Sequence, residues 1–171
     1  MESIFGGNDP NVNTDTGEKE PSSETLTQMK AGANWFYWIA GLSLVNSAIF
    51  AFGGQVSFIA GLAVTQIIDA FADGMSGGNS LSAVKIIALV MDFIVFILFA
   101  LIGYYANKAI NAVFIGGMVL YIIDGLVWLL LDSFLAFGFH IFALIMIFRG
   151  FMASREIARI RSHNQMVRDG K

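Results

Sequence analysis

Three long apolar runs follow one another between Leu81 and Met152: LSAVKIIALVMDFIVFILFALIGYYA, KAINAVFIGGMVLYIIDGLVWLLLD and SFLAFGFHIFALIMIFRGFM. About 20 apolar residues, rising about 1.5 Å each in a helix, match a hydrocarbon core of roughly 30 Å. Such runs have one economical home, a lipid bilayer crossed by helices. Charged residues make up 13% of the chain, against about 25% in a soluble domain. The shortfall falls between residues 31 and 148, where only Asp69, Asp73, Lys85, Asp92, Lys108, Asp124 and Asp132 are ionisable as fixed charges. The expected fold is all-α: a polytopic transmembrane helical bundle of five membrane segments, the second either spanning or re-entrant.

Residues 1–30 read as an acidic, disordered tail with a short pre-helix, since so polar a segment buries too little apolar surface to offset ordering entropy. It lacks the basic start and apolar core of a signal peptide. Ser22 or Ser23 suits a helix cap. Residues 31–152 form the bundle and 153–171 a basic cytoplasmic tail.

The first span runs from about Asn34 to Phe52 and opens with Trp35, Phe36, Tyr37 and Trp38, rings favoured at a membrane boundary. Gly53-Gly54 ends it. Residues Gln55 to Ala72 form a shorter, more polar segment with Gln66, Asp69 and Asp73 on one helical face. Ile39-Ala40-Gly41-Leu42 recurs as Ile59-Ala60-Gly61-Leu62, aligning Asn46 with Gln66. This favours a true second span and an inverted pair. Residues 73–82 read as a linker. The remaining connections, at Ala106-Asn107-Lys108 and Asp132-Ser133, are short enough to force antiparallel neighbours.

Lys108 and the basic residues from Arg149 onward share one side, which the positive-inside rule assigns to the cytoplasm. Five spans put the N-terminus outside; a re-entrant second segment puts it inside. The chain has no cysteine, so thiolate chemistry and disulfides are excluded. Its basic end follows a membrane span directly, which points away from nucleic acid and towards lipid headgroups.

Asp92, Asp124 and His140 lie on consecutive apolar runs, roughly 15, 12 and 10 Å below the outer surface at about 1.5 Å per residue. A charged carboxylate at depth costs about 2.5–3.5 kcal/mol, so each is expected to face the bundle interior. The three are expected to share a hydrogen bond or proton, with Lys85 reaching towards Asp92 and Asp69, Asn46 and Gln66 joining from the first hairpin. They would serve as a proton or cation relay, or as a metal site of two carboxylates and an imidazole. As structural glue, each hydrogen bond would contribute about 0.6 kcal/mol. Asp124→Asn is expected to preserve folding and abolish activity. Ala112 with Gly116, and Ser43 with Ser47, have the small-residue spacing of close helix contacts.

Gly74-Met75-Ser76-Gly77-Gly78 fits G-x-S-x-G, but the hydrolase version needs a preceding strand. With His140 two spans later, Ser76 resembles the serine of rhomboid intramembrane proteases at those two points only. Rhomboids have more spans, and small residues follow their histidine where Ile141-Phe142-Ala143 stand here. A Gly/Ser linker explains the stretch better, and no catalytic residue or cofactor is expected.

NWFYWIAGLSLVNS (Asn34 to Ser47) and GFHIFALIMIFRG (Gly138 to Gly150) resemble small polytopic bacterial inner-membrane proteins of unassigned function. The likeness covers about residues 33–155 and implies a bacterial inner membrane. The first functional expectation is a non-enzymatic membrane component acting through helix–helix contacts, as a homo-oligomer or with a membrane-protein partner. The alternative is a proton- or cation-linked transporter or channel.

Overall fold

The computed structural model describes residues 18–51, 61–77 and 82–170. Five α-helices account for nearly all of them: α1 (Ser23–Ala51), α2 (Ala63–Ser76), α3 (Ala83–Ala106), α4 (Asn111–Leu130) and α5 (Phe134–Arg168). Residues 1–17 of the acidic tail, Gly53-Gly54 and the Ile59-Ala60 half of the repeat lie outside the described residues.

α1 starts where the sequence provides a cap: Thr25 N–H donates to Ser22 Oγ at 3.1 Å. Its buried stripe includes Met29, Ala33, Phe36, Ala40, Ser43 and Ser47, the three-and-four spacing of one helical face. Apart from Lys85 and Asp92, α3 carries no charged residue. Ile87, Val90, Phe93 and Ile94 are exposed, while Ala88, Asp92, Phe99 and Gly103 face inward. A helix with its carboxylate inside and its isoleucines outside is built for lipid.

α1 packs against α5 and α3, and α4 closes the ring by packing against the same two helices. Asn164 Nδ2 donates to the Lys19 carbonyl at 2.8 Å, which ties the start of α1 to the end of α5. Asn107 Nδ2 donates to Asn34 Oδ1 at 3.2 Å, which brings the end of α3 to the same side. α1 and α4 therefore run one way, α3 and α5 the other, and the start of α1 and the end of α5 share one side. At Gly32 and Gly150 the backbones of α1 and α5 touch: a Cβ on Gly32 would stand 2.5 Å from Gly150 Cα.

The short connections arise from specific turn chemistry. After α4, Asp132 N–H donates to the Leu129 carbonyl at 3.2 Å and Ser133 N–H to that of Trp128 at 3.0 Å. This paired pattern closes a helix over a left-handed residue, and Asp132 takes that role at φ 54°.

α2 changes the expected architecture. Its last turns meet the start of α3, where Lys85 Nζ and Asp73 Oδ1 pair at 2.7 Å. Lys85 also lies 5.3 Å from the Phe50 ring near the end of α1. Its first turn is inside the ring, against α4. The helix therefore points from the interior back towards the end that the chain left, instead of crossing.

Among the described residues three helices, α3, α4 and α5, are long and apolar enough to cross a membrane, where five segments were expected. α2 has 14 residues, about 21 Å at 1.5 Å each. α1 is long enough, but it begins in a polar stretch and carries Asn34, Ser43, Asn46 and Ser47 within its apolar half. The linker reading of residues 73–82 also changes: Asp73 to Ser76 are helical, and Gly77 ends α2 at φ 58°, a conformation glycine adopts without strain.

Candidate functional site

α2 begins at Ala63, and Leu62 before it supplies no side-chain cap. The first backbone N–H groups of a helix have no partner within it and carry its positive end. Here other helices supply the acceptors. Leu62 N–H donates to Ser43 Oγ of α1 at 2.8 Å. Ala63 N–H donates to Asp124 Oδ2 at 2.8 Å and Val64 N–H to Asp124 Oδ1 at 3.0 Å. An α4 carboxylate thus caps α2 from across the bundle.

His140 holds the other side of this carboxylate. Its Nδ1 is 2.9 Å from the Ala136 carbonyl, which only accepts, so Nδ1 carries a hydrogen. Its Nε2 lies 3.0 Å from Asp124 Oδ2. Asp124 Oδ2 thus faces both a backbone donor of α2 and the edge of the imidazole. Tyr121 stacks on the imidazole at 4.4 Å between centroids, with 19° between planes. Gly125 makes room: a Cβ there would stand 3.1 Å from His140 Cβ.

A second polar centre lies between α1, α2 and α3. Asp92 is 2% exposed, Asp69 5% and Ser47 0%. The Ser47 hydroxyl and the Asp69 carboxyl lie beside Asp92, within hydrogen-bonding reach. None of Ser47 Oγ, Asp92 Oδ1 and Asp92 Oδ2 completes a well-aligned hydrogen bond among the described residues.

The expected triad is therefore divided. Asp124 and His140 meet as expected, whereas Asp92 faces Asp69 and Ser47. Among the described residues, no three of His, Cys, Asp and Glu are placed to hold a metal, so the two-carboxylate, one-imidazole metal site does not form. Lys85 pairs with Asp73 instead of reaching Asp92. Spacing alone puts Lys85 and Asp92 on one face, but helical side chains lean towards the N-terminus, which carries Lys85 away from Asp92. Asn46 and Gln66 do approach each other, over Gly61, where a Cβ would overlap Asn46 Nδ2 and stand 3.3 Å from Gln66 Nε2. The repeat itself takes two forms, since Gly41-Leu42 is helical and Gly61-Leu62 is not.

Ser76 Oγ donates to the Asp73 carbonyl at 2.9 Å, so the serine and His140 serve separate partners. The role of Asp124 also differs from the expectation. A carboxylate with three hydrogen bonds holds α2 in place, so its loss affects folding. The backbone amides of Ala63 and Val64, together with Tyr121 and Gly125, were missed from sequence. One signal was available: a helix start with no Ser, Thr, Asp or Asn before it needs a cap from elsewhere. No known protein family, curated protein or solved structure matches this chain.

Proposed function

We propose that the chain is a multi-pass membrane protein, with α1, α3, α4 and α5 crossing and α2 re-entrant, and that it conducts or transports a proton or small cation. What supports this reading is one observation: the Asp92 carboxyl is buried, and both its oxygens lack an aligned partner, on a helix whose one other charged residue is Lys85 near its start. Intramembrane ionisable groups of this kind mark ion pathways. A half-helix ending at mid-depth is a recurrent part of such proteins. The positive-inside rule, applied to Lys108 and the arginines of α5, puts both chain ends in the cytoplasm and α2 on the opposite side. A bacterial inner membrane fits the resemblance of the first and last spans.

Flux through liposomes carrying the purified protein tests the proposal. An imposed pH or sodium gradient, followed with an entrapped pH dye, should collapse faster than in empty liposomes. Asp92→Asn should abolish the difference. Equal decay with and without protein would sink the proposal. The second reading, a non-enzymatic component acting through helix contacts, draws on Ala112 and Gly116. Both lie on the exposed side of α4, and a Cβ at Gly116 would meet nothing. Co-purification of a membrane partner or a stable homo-oligomer, lost on Gly116→Leu, would support it.

A further inference from the structure

We infer that Ser47, Asp69 and Asp92 form a binding site for one hard monovalent cation, sodium-like, taken up in exchange for one proton. The inference deepens the transport reading and rests on it for the sense of the exchange.

Three observations carry it. First, the donor set is all oxygen, from three helices, which suits a hard cation and not a soft metal. Second, Asp92 is 2% exposed and Ser47 0%, yet Ser47 Oγ and both Asp92 oxygens lack an aligned hydrogen bond. Buried polar atoms are ordinarily paired, so acceptors left open together present a coordination shell. Third, the surrounding acids already have basic partners. Asp73 on α2 pairs with Lys85 on α3, and Asp124 on α4 pairs with His140 on α5. Asn46 on α1 is neutral. Asp69 and Asp92 are the buried acids left without an opposite charge among the described residues.

Charge balance then sets the stoichiometry. Two adjacent carboxylates cannot both stay ionised without a counter-charge in a low dielectric. With two protons the pair is neutral. With one proton and one monovalent cation it is neutral again. The step is –COOH + M⁺ → –COO⁻·M⁺ + H⁺: an O–H bond breaks, the proton leaves to water, and no net charge enters the bundle. A divalent ion would have to displace both protons and find ligands that a two-carboxylate site does not supply.

The test uses the full chain in detergent, with sodium chloride replacing choline chloride at constant ionic strength. Radioactive sodium binding and proton release, read with a pH dye, are measured together. The expected result is saturable binding, one proton released per sodium, and apparent affinity falling about tenfold for each pH unit below neutrality. Asp92→Asn should abolish both signals, and Asp132→Asn, at the exposed α4–α5 turn, should change neither. If Asp92→Asn does not fold, Ser47→Ala decides, with a several-fold weaker affinity expected. The inference is overturned by absence of saturable binding, by binding without proton release, or by affinity unchanged in Ser47→Ala. Proton-only flux in liposomes would overturn this site and leave the transport reading standing. Sodium binding without any flux would do the reverse.

Discussion

The carboxylate of Asp124 rests on the first turn of a helix it does not belong to, 2.8 Å from the backbone nitrogen of Ala63. The same oxygen meets His140 Nε2 at 3.0 Å. One side chain of α4 thus joins α2 to α5. Without it, α2, α4 and α5 lose their common point.

Asp124→Ala should be among the most damaging single changes. It leaves His140 Nε2 and two backbone donors in the interior without their partner, at about 1–3 kcal/mol for each buried group left unsatisfied. Asp124→Asn keeps the shape and one acceptor, so about 1–3 kcal/mol is expected. Thermal unfolding in detergent should rank wild type above Asn above Ala. Hydrogen exchange should show faster exchange at Ala63 and Val64 in both variants. Unchanged protection at those amides would refute the cap.

The glycine crossing gives a sharper contrast. Gly32→Ala or Gly150→Ala puts a methyl group into the opposite backbone, and backbone cannot swing aside as a side chain can. A loss of about 1–3 kcal/mol is expected from overpacking. Gly116→Ala, where a Cβ meets nothing, should leave the unfolding temperature of the monomer unchanged. Equal stability of all three variants would show that α1 and α5 do not pack at Gly32 and Gly150.

How much of this was open to reading from residues alone depends on which force decided each feature. The inward placement of Asp92, Asp124 and His140 was legible, because the cost of charge in lipid leaves one solution. The turn at Asp132 was legible in length for the same kind of reason: two polar residues between apolar runs leave room only for a reversal. That Asp69 would join Asp92 was legible, but that the two would meet apart from Asp124 and His140 was not. It depends on the depth and direction of α2, and these are set by Ser43 and Asp124 from distant parts of the chain. Lys85 departs from its expected partner for a local reason: its side chain leans towards the start of α3, to Asp73, in spite of sharing a helical face with Asp92.

Topology can be settled by labelling, helped by the absence of cysteine from the chain. Single cysteines at Met75, near the end of α2, and at Arg161, in the last part of α5, should react with a membrane-impermeant maleimide from opposite sides. A cysteine at Glu20 should behave like the one at Arg161, because the start of α1 and the end of α5 are joined at Lys19 and Asn164. Labelling of Glu20 and Arg161 from opposite sides would restore the five-span arrangement and remove the re-entrant α2.

The contact between the two chain ends carries a pH dependence of definite sign. Arg168 Nη2 donates to Glu18 Oε2 at 3.0 Å, and this hydrogen bond, with the guanidinium charge, holds Glu18 below the usual carboxylate range. A lowered folded-state value means the contact stabilises fully above the unfolded pKa of Glu18. That contribution disappears as pH falls through the lowered value. Both groups are exposed, so salt should weaken the contact as well. Spin labels at Glu20 and Gln165 should therefore report a short distance at neutral pH and low salt. The distance distribution should broaden as pH falls below the ordinary carboxylate range, and in high salt. Glu18→Gln should broaden it at every pH, and a distribution that ignores both acid and salt would show that this ion pair does not hold the two ends together.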